Sequence, residues 1–329
     1  MLERKIDLKN FGTVEENSPL FEIESTSDGA FRKGNDGVNA ILTAPDKKVE
    51  LIGFNDKTIA YVPSAMKYDA YYTVHPVSLE KPVKAVLMDL DGTSVKSEEF
   101  WIWIIEKSVA SLTGNPKFAL EDADLPYVSG HSVSEHLSYC IEKYCPEKTL
   151  EQAREYYFLH THNEMQAIMD GKGRADAFTP ADGLKDFLTA LKAEKIKIGL
   201  VTSGLYEKAM PEIISAFKTL GMGAPDDFYD AIISAGFPLK KGGVGTLGEL
   251  SPKPHPWLYA ETCSVGLGIP FEERHSVIGI EDSGAGVCSV RLAGFTTVGI
   301  AGGNIESSGT RDFCSFFEEK LTDIIKIIK

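Results

Sequence analysis

The sequence contains no uninterrupted apolar run of about 18 residues, so it predicts no membrane-spanning helix. Its opening residues, MLERKIDLKNFG, carry too many charges for the apolar core of a signal peptide. Both absences lead us to expect a cytoplasmic protein that has no membrane partner.

Cysteine is scarce as well. The chain has five cysteines, an odd number, and no pair of them shows the C-x-x-C spacing of a zinc or redox site. The sequence therefore predicts free thiols in a reducing compartment, and it argues against a disulfide framework.

Basic residues are too few for another class of function. The chain has 34 lysines and arginines against 48 aspartates and glutamates, which gives a formal net charge of −14. Because broad binding to nucleic acid or anionic membranes needs a basic face, this composition argues against both partners. An anionic ligand would have to be held by positive charge placed locally.

What remains is the composition of a globular protein, with 43% apolar and 25% charged residues over 329 positions. A chain of this length predicts about two domains. In residues 1–81, the apolar stretches 49–54 and 58–62 flank the turn-forming sequence Asn55-Asp56-Lys57, which predicts a β-hairpin. We expect residues 1–81 to form a small β-rich accessory segment whose role the sequence leaves open.

From residue 82 the pattern changes to alternating strands and helices. The strand-like apolar runs are residues 83–90, 196–201, 228–233, 277–280 and 295–300. This alternation predicts an α/β fold, a three-layer Rossmann-like core with a parallel sheet, formed by residues 82–96 and 182–329. Residues 97–181 lack such runs and show helical patterns. They leave the sheet after its first strand, where ligands bind, so we expect a helical cap there.

Two carboxylates follow the first core strand, in the sequence Asp89-Leu90-Asp91-Gly92-Thr93. Residues two apart in an extended strand point to the same side, so Asp89 and Asp91 can face one ligand. Such a pair suits a nucleophile and a group that transfers a proton. Taken alone, the motif is more often a polar turn that caps a strand.

Each of three further motifs also has both a functional and a structural interpretation. Thr202 and Ser203 follow a strand and can donate to phosphoryl oxygens, although an isolated T-S-G is more often a helix N-cap. Lys253 lies between two prolines, which restrict the backbone that carries its charged side chain, although most such lysines are solvated. Glu281 and Asp282 suit a hard cation such as Mg²⁺, although acids also favour the start of a helix.

The four motifs would all lie at one end of a parallel sheet, and their combination is specific. Over roughly residues 83–305 the sequence resembles the haloacid-dehalogenase-like superfamily of phosphatases and phosphotransferases. The segments that carry the resemblance are VLMDLDGT at 86–93, GLVTSG at 199–204, SPKPHP at 251–256 and GIEDSGAGV at 279–287. It implies the family's α/β core with a helical cap of the first type.

The resemblance implies roles for single residues. Asp89 would be the nucleophile that becomes an aspartyl-phosphate. Asp91 would protonate the leaving oxygen and then activate water. Thr202 would bind a phosphoryl oxygen, Ser203 would help through its main-chain amide, and Lys253 would balance the charge.

The resemblance also implies a metal site. Mg²⁺ would be held by the Asp89 carboxylate, the Asp91 main-chain carbonyl and Asp282, with Glu281 in or next to the coordination shell. Relatives that cleave carbon–halogen or carbon–phosphorus bonds lack the second aspartate, so Asp91 favours oxygen–phosphorus chemistry.

The leading interpretation is a Mg²⁺-dependent phosphatase for a small phosphorylated metabolite, with sugar phosphates as one candidate class. A cap that closes would shield the intermediate from bulk water and favour small substrates. The residues of the cap that are candidates for contacting substrate are Trp101, Trp103, His131, Ser132 and His136. Each is more often structural, since tryptophans at helical spacing usually belong to a core.

Two other functions stay open. A phosphomutase resembling β-phosphoglucomutase would share the core motifs, but such mutases grip a second phosphate with a basic cap residue. Residues 128–137 contain no arginine or lysine. A binding or regulatory protein on the same core would give residues 1–81 a purpose, although they could equally extend the fold or form a homodimer contact. Against it, no catalytic position is degraded.

Overall fold

The computed structural model of the protein describes residues 5–63, 69–128, 133–174, 177–236 and 252–329. The chain divides into two compact units. The first, which we call the core unit, comprises Met1–Ser94, Ala181–Ala209 and Gly223–Lys329. The second, which we call the helical unit, comprises Val95–Pro180 and Met210–Met222.

The strands are β1 (Ile6–Leu8), β2 (Gly12–Val14), β3 (Phe21–Glu22), β4 (Ala40–Thr43), β5 (Glu50–Gly53), β6 (Thr58–Val62), β7 (Ala70–Thr73), β8 (Ala85–Asp89), β9 (Val95–Lys96), β10 (Thr179–Pro180), β11 (Lys197–Leu205), β12 (Ala231–Gly236), β13 (Val277–Glu281), β14 (Thr296–Ile300) and β15 (Phe316–Glu318). The helices are α1 (Glu98–Thr113), α2 (Leu125–Val128), α3 (Val133–Tyr144), α4 (Leu150–Met169), α5 (Leu184–Ala193), α6 (Tyr206–Thr219), α7 (Trp257–Glu261), α8 (Gly284–Leu292), α9 (Ile305–Ser308) and α10 (Leu321–Ile328). Within the described residues, none of these helices has the length and apolar character needed to cross a membrane.

The predicted α/β fold is confirmed. Six parallel strands of the core unit form one sheet in the order β12-β11-β8-β13-β14-β15. Every residue of β8, β13 and β14 is buried, as expected for parallel strands that are covered on both faces. Helices α7 and α8 share a hydrophobic cluster with one face, while α5 and α10 pack against each other and against β11 and β15. The edge strand β15 was not predicted.

Strands β1 and β2 pair as a separate antiparallel ribbon. Strands β3 to β7 form an antiparallel sheet in the order β3-β4-β5-β6-β7. The predicted hairpin is confirmed, because β5 and β6 pair with Gly53 opposite Thr58. Side chains alternate between the two faces of this sheet, so that Leu42 and Ile41 belong to different hydrophobic clusters. We call this the N-terminal sheet.

One face of the N-terminal sheet packs on helix α8. Leu42 and Leu51 share a continuous hydrophobic cluster with Val287, Cys288 and Leu292 of that helix. Burying an aliphatic side chain of this size contributes about 1.5–3 kcal/mol. The two sheets therefore belong to the same compact unit, although they are far apart in sequence.

A buried arginine reinforces this packing. The guanidinium of Arg291, at the end of α8, donates to the main-chain carbonyls of His75, at 2.9 Å, and of Asn10. Both carbonyls come from the N-terminal part of the chain. Because hydrogen bonds from a charged donor are stronger than neutral ones, Arg291 ties α8 to the segments that flank the N-terminal sheet.

The helical unit has its own core. Helix α4 packs against α1 and α3, and the short strands β9 and β10 pair where the chain enters and leaves the main part of the unit. Asp124 is fully buried and accepts hydrogen bonds from Tyr139 at 2.6 Å, from Tyr144, from Lys143 at 2.6 Å and from the amide of Glu121 at 2.9 Å. Burial opposes the charge of Asp124, but the hydrogen bonds from Lys143 and the tyrosines hold its pKa well below the usual range.

We predict that Arg291→Met lowers the free energy of unfolding by about 2–4 kcal/mol, because two partly buried main-chain carbonyls lose a charged donor and the buried arginine is lost. Urea denaturation measures the change. In the control Arg311→Met, the arginine that is lost is partly exposed and pairs with Glu306 at 3.4 Å, so a loss below about 1 kcal/mol is expected. Equal losses in the two variants would contradict the role given to Arg291.

We also predict an acid-dependent effect of Asp124→Asn. The pKa of Asp124 is lowered by folding, so its ionised form stabilises the protein above about pH 4, and this contribution is lost as the pH falls further. The variant should be clearly less stable than wild type near neutral pH, and the difference should shrink in acid. Thermal unfolding at several pH values tests this. As a control, Asp122→Asn replaces an exposed neighbour and should leave the unfolding midpoint close to that of wild type.

Candidate active site

The order of the parallel sheet brings the predicted motifs to one edge. Strand β8 lies between β11 and β13, with Val201 paired to Asp89 and Ile280 paired to Met88. Since parallel strands end at the same edge, the residues that follow these pairs meet there. Strand order alone therefore places the residues after β8, β11 and β13 side by side.

Three buried carboxylates converge at this edge. Asp89, Glu281 and Asp282 each offer an oxygen atom within 4.8 Å of those of the other two. All three side chains are buried. Carboxylates at such distances repel one another strongly unless positive charge lies among them.

Lys253 supplies part of that charge. Its ammonium group lies 2.6 Å from Oε1 of Glu281 and forms a hydrogen bond with Oδ1 of Asp89. Only 8% of the lysine side chain is exposed, so it is not the solvated surface lysine that its sequence alone allows. The main-chain amide of Lys253 also donates to Oγ of Ser203 at 3.3 Å, which joins this residue to the end of β11.

The electrostatics of the cluster are unbalanced. Burial and the charge of Glu281 raise the pKa of Asp89 well above its usual value, and the same two causes raise the pKa of Asp282 to about 7. Burial opposes the charge of Lys253, but Asp89 and Glu281 hold its pKa above the ordinary value. When all three carboxylates are ionised, they face one ammonium group and two negative charges are without compensation, which is why the ionised forms of Asp89 and Asp282 are disfavoured. A divalent cation would restore the balance.

The donor set fits Mg²⁺, which prefers carboxylate oxygens. The oxygens of Glu281 are already engaged: Tyr259 and Lys253 contact Oε1, and Ser283 donates to Oε2 at 3.1 Å. Asp89 and Asp282 are therefore the better cation ligands, and Glu281 is better suited to hold Lys253.

The turn after β8 is shaped around Asp282. Gly92 has a φ of 85°, and a Cβ atom at this position would overlap the Asp282 carboxylate. Thr93 donates from Oγ1 to Oδ1 of Asp282 at 3.3 Å, and Ser94 donates to the main-chain carbonyl of Asp89 at 2.6 Å. The D-G-T sequence thus keeps the first and fourth motifs in close contact.

Asp91 has a different environment. Its side chain is 35% exposed, and its Oδ1 lies 3.9 Å from Nζ of Lys208. Its carboxylate does not belong to the cluster of Asp89, Glu281 and Asp282. The two aspartates of the first motif are therefore distinct in burial, as different chemical roles would require.

Thr202 is buried at the adjacent strand end. Its Oγ1 accepts a hydrogen bond from the amide of Gly204 at 2.9 Å, which leaves the hydroxyl proton for donation to a ligand. Strand β11 continues to Leu205 before α6 begins, so the alternative that Thr202 and Ser203 form a helix N-cap is wrong. The N-cap of α8 is Ser283, whose hydroxyl accepts from Gly286, so the corresponding alternative for Glu281 and Asp282 is wrong as well.

Two residues of this site were not found from the sequence. Tyr259 on α7 is fully buried and donates its hydroxyl to Glu281. Lys208, in the first turn of α6, lies next to Asp91. Neither belongs to a recognisable motif, and only the packing of α7 and the start of α6 bring them here.

The candidates for substrate contact lie in the helical unit. His136 is buried, and its Nδ1 lies 3.2 Å from the carbonyl of Val128. The rings of Trp101 and Trp103 lie 5.2 and 5.6 Å from that of Phe100. These contacts favour structural roles for the three residues. His131 and Ser132 lie outside the described residues, as does Ser251 of the third motif.

Comparison with known proteins agrees with this geometry. Residues 86–235 match the family described as haloacid dehalogenase-like hydrolase. This segment contains Asp89, Asp91 and Thr202, while Lys253 and Asp282 lie beyond it. No curated protein matches the sequence.

Solved structures show the same fold at low identity. A predicted phosphoglycolate phosphatase from Haemophilus somnus is 18% identical, with a TM-score of 0.56, and the match covers 76% of this chain and 99% of that one. A haloacid dehalogenase superfamily hydrolase of subfamily IA from Geobacter sulfurreducens is 16% identical, with a TM-score of 0.53 and coverages of 77% and 100%. A candidate β-phosphoglucomutase from Thermotoga maritima is 19% identical, with a TM-score of 0.51 and coverages of 74% and 98%.

At these identities the structures establish the fold alone. The family match and the shared fold confirm the resemblance that the sequence motifs predicted. Residues 86–235 are thus similar to the haloacid dehalogenase-like hydrolase family, and the chain shares the fold of these solved structures.

Proposed function

We propose that the protein is a Mg²⁺-dependent phosphatase that hydrolyses a small phosphorylated metabolite through an aspartyl-phosphate on Asp89. The observation that carries the proposal is the buried ion triad of Asp89, Lys253 and Glu281, with Asp282 beside it. Phosphoryl transfer depends on placing the reacting groups and neutralising their charge, and the residues of this cluster can do both.

In the first step, a carboxylate oxygen of Asp89 forms a bond to phosphorus. The bond from phosphorus to the leaving oxygen breaks, and Asp91 gives that oxygen its proton. The partial exposure of Asp91 supports this role, since a proton donor must reach a group outside the buried cluster.

In the second step, water replaces Asp89. Asp91, now a carboxylate, takes a proton from the water molecule as the water oxygen bonds to phosphorus. The bond between phosphorus and the Asp89 oxygen breaks, which releases inorganic phosphate and restores the free carboxylate. Atoms and charges balance over the two steps, and no redox partner is needed.

Asp89 must be ionised when it attacks, although burial and Glu281 raise its pKa. Lys253 favours the ionised form through direct contact with the carboxylate. A bound Mg²⁺ would add positive charge at Asp89 and Asp282 and would attract the phosphoryl oxygens. The Thr202 hydroxyl, and by resemblance the amide of Ser203, would donate to those oxygens.

The class of substrate is inferred from chemistry. The names of two structural neighbours, a phosphoglycolate phosphatase and a β-phosphoglucomutase, refer to small phosphorylated metabolites. Hydrolysis is favoured over mutase activity, because residues 128–137 offer no arginine or lysine for a second phosphate. That residues 97–181 select the substrate as a cap stays a prediction.

We predict that Asp89→Asn lowers phosphate release by about three orders of magnitude or more, since the amide cannot act as the nucleophile. The measurement is phosphate release from p-nitrophenyl phosphate and a panel of sugar phosphates, in the presence of Mg²⁺. The exposed variant Asp186→Asn on α5 is the matched control and should retain full activity.

The variant Asp91→Asn extends the same test. An aryl leaving group needs little protonation, so Asp89 should still be phosphorylated, while attack by water becomes slow. Mass spectrometry should then detect a protein with one added phosphoryl group. Undiminished turnover in Asp89→Asn would exclude Asp89 as the nucleophile, and isomerisation of a hexose phosphate without phosphate release would favour the mutase.

We predict that Asp282→Asn raises the Mg²⁺ concentration for half-maximal activity by about tenfold or more, because one of two buried cation ligands is weakened. Chelation should abolish wild-type activity, and Mg²⁺ should restore it. Binding gives an independent readout: Mg²⁺ should raise the thermal unfolding midpoint of wild type and Asp186→Asn, but raise that of Asp282→Asn much less. Identical Mg²⁺ dependence in Asp282→Asn and wild type would remove Asp282 from the metal site.

A further inference from the structure

His255, two residues after Lys253, is held from two directions. The hydroxyl of Tyr72, on strand β7 of the N-terminal sheet, shares a hydrogen bond of 2.7 Å with Nδ1 of the histidine ring. The hydroxyl of Ser289, on α8, donates to the main-chain carbonyl of His255 at 2.7 Å. The histidine is only 3% exposed. Two elements far apart in sequence therefore fix the position of this one residue.

Hydrogen bonds between residues close in sequence to His255 also restrict the position of Lys253. The amide of His255 donates to the carbonyl of Pro252 at 3.1 Å, which closes a turn around the lysine. On its other side, the amide of Lys253 contacts Ser203. The lysine loop, residues 252–255, is thus held at both ends. Its position decides whether Nζ reaches Asp89 and Glu281 together.

Tyr72 is itself well supported. It pairs with Ala60 across β6 and β7, and its ring packs edge-on against the rings of His255 and Trp257. Burial lowers the pKa of His255, so the ring is neutral at physiological pH and can share an uncharged hydrogen bond with the tyrosine. The contact is therefore part of a packed surface and does not depend on an ion pair.

We propose that Tyr72 is a positioning residue for Lys253, acting through His255, and that the N-terminal sheet thereby supports catalysis by the core unit. The inference rests on the proposed function, in which Lys253 neutralises Asp89. It gives residues 1–81 a role in the chemistry. Their described part contributes no carboxylate to the metal cluster, but it holds the loop that carries the lysine partner of that cluster.

The test compares two tyrosines on the same strand. Tyr72→Phe keeps the ring and removes the hydroxyl that meets His255. Tyr71→Phe removes a hydroxyl that bonds to Asp28 within the N-terminal sheet and has no part in the lysine loop. We expect Tyr72→Phe to lower kcat by about tenfold, with KM changed less than about twofold, because misplacement of a charge acts on the reaction step. Tyr71→Phe should match wild type.

A double-variant comparison separates positioning from general damage. If Tyr72 acts through Lys253, then Tyr72→Phe should lower kcat much less in a Lys253→Met background than in wild type. Ser289→Ala removes the second hydroxyl that holds His255 and should give the same loss in kcat. If Tyr72→Phe has a lowered unfolding midpoint, Ser289→Ala takes its place in the comparison.

A spectroscopic readout makes the inference independent of activity. The ¹³Cε signal of Lys253, assigned by its loss in Lys253→Met, should move in Tyr72→Phe and Ser289→Ala and stay in place in Tyr71→Phe. If wild type releases phosphate and Tyr72→Phe keeps its kcat and this signal, the inference is overturned while the proposed function stands. If wild type hydrolyses no phosphate on the panel, the proposed function fails, and the Lys253 signal alone decides whether Tyr72 positions the lysine.

Discussion

The site depends on compensation of charge in a buried space. Three carboxylates and one ammonium group lie together where β8 and β13 end, with little exposure to bulk water. A balanced buried ion pair does little for stability, and an unbalanced one is destabilising. The raised pKa values of Asp89 and Asp282 express this cost. Such a cluster makes physical sense as a place prepared for a cation and for an anionic group that the cation attracts.

The fold maintains this cluster through rigid elements. The central position of β8 puts Asp89 beside the ends of its two neighbours, so backbone pairing places the proposed nucleophile without help from flexible loops. The absence of a side chain at Gly92 allows the turn after β8 to approach Asp282. Tyr259 and Ser283 hold Glu281, which in turn holds Lys253. Each charged group is thus fixed by a partner that does not itself react, as preorganised electrostatics requires.

Much of the fold and of the candidate site could be predicted from the sequence, because the patterns that indicate them are local. Apolar runs marked the strands β8, β11, β12, β13 and β14, and each motif lies at the carboxyl end of a strand or precedes a helix. Strand β15 was missed because its three residues, FFE, form no apolar run. The contact of Tyr72 with His255 joins residues 183 positions apart and has no local pattern. The alternative that Thr202 or Asp282 is a helix N-cap could be judged only from the structure, which shows where β11 ends and α8 begins.

In the proposed mechanism, the N-terminal sheet would matter for the chemistry although its described residues contribute no carboxylate to the cluster. It packs on α8, the helix that directly follows Asp282, and it contacts the loop that carries Lys253. The Coulomb energy between two charges changes steeply with distance when water is excluded. A lysine that moves by one ångström would stabilise Asp89 less, even with every catalytic residue present. If Asp89 is the nucleophile, as proposed, hydrophobic burial and the hydroxyl groups of Tyr72 and Ser289 would bear on its protonation state.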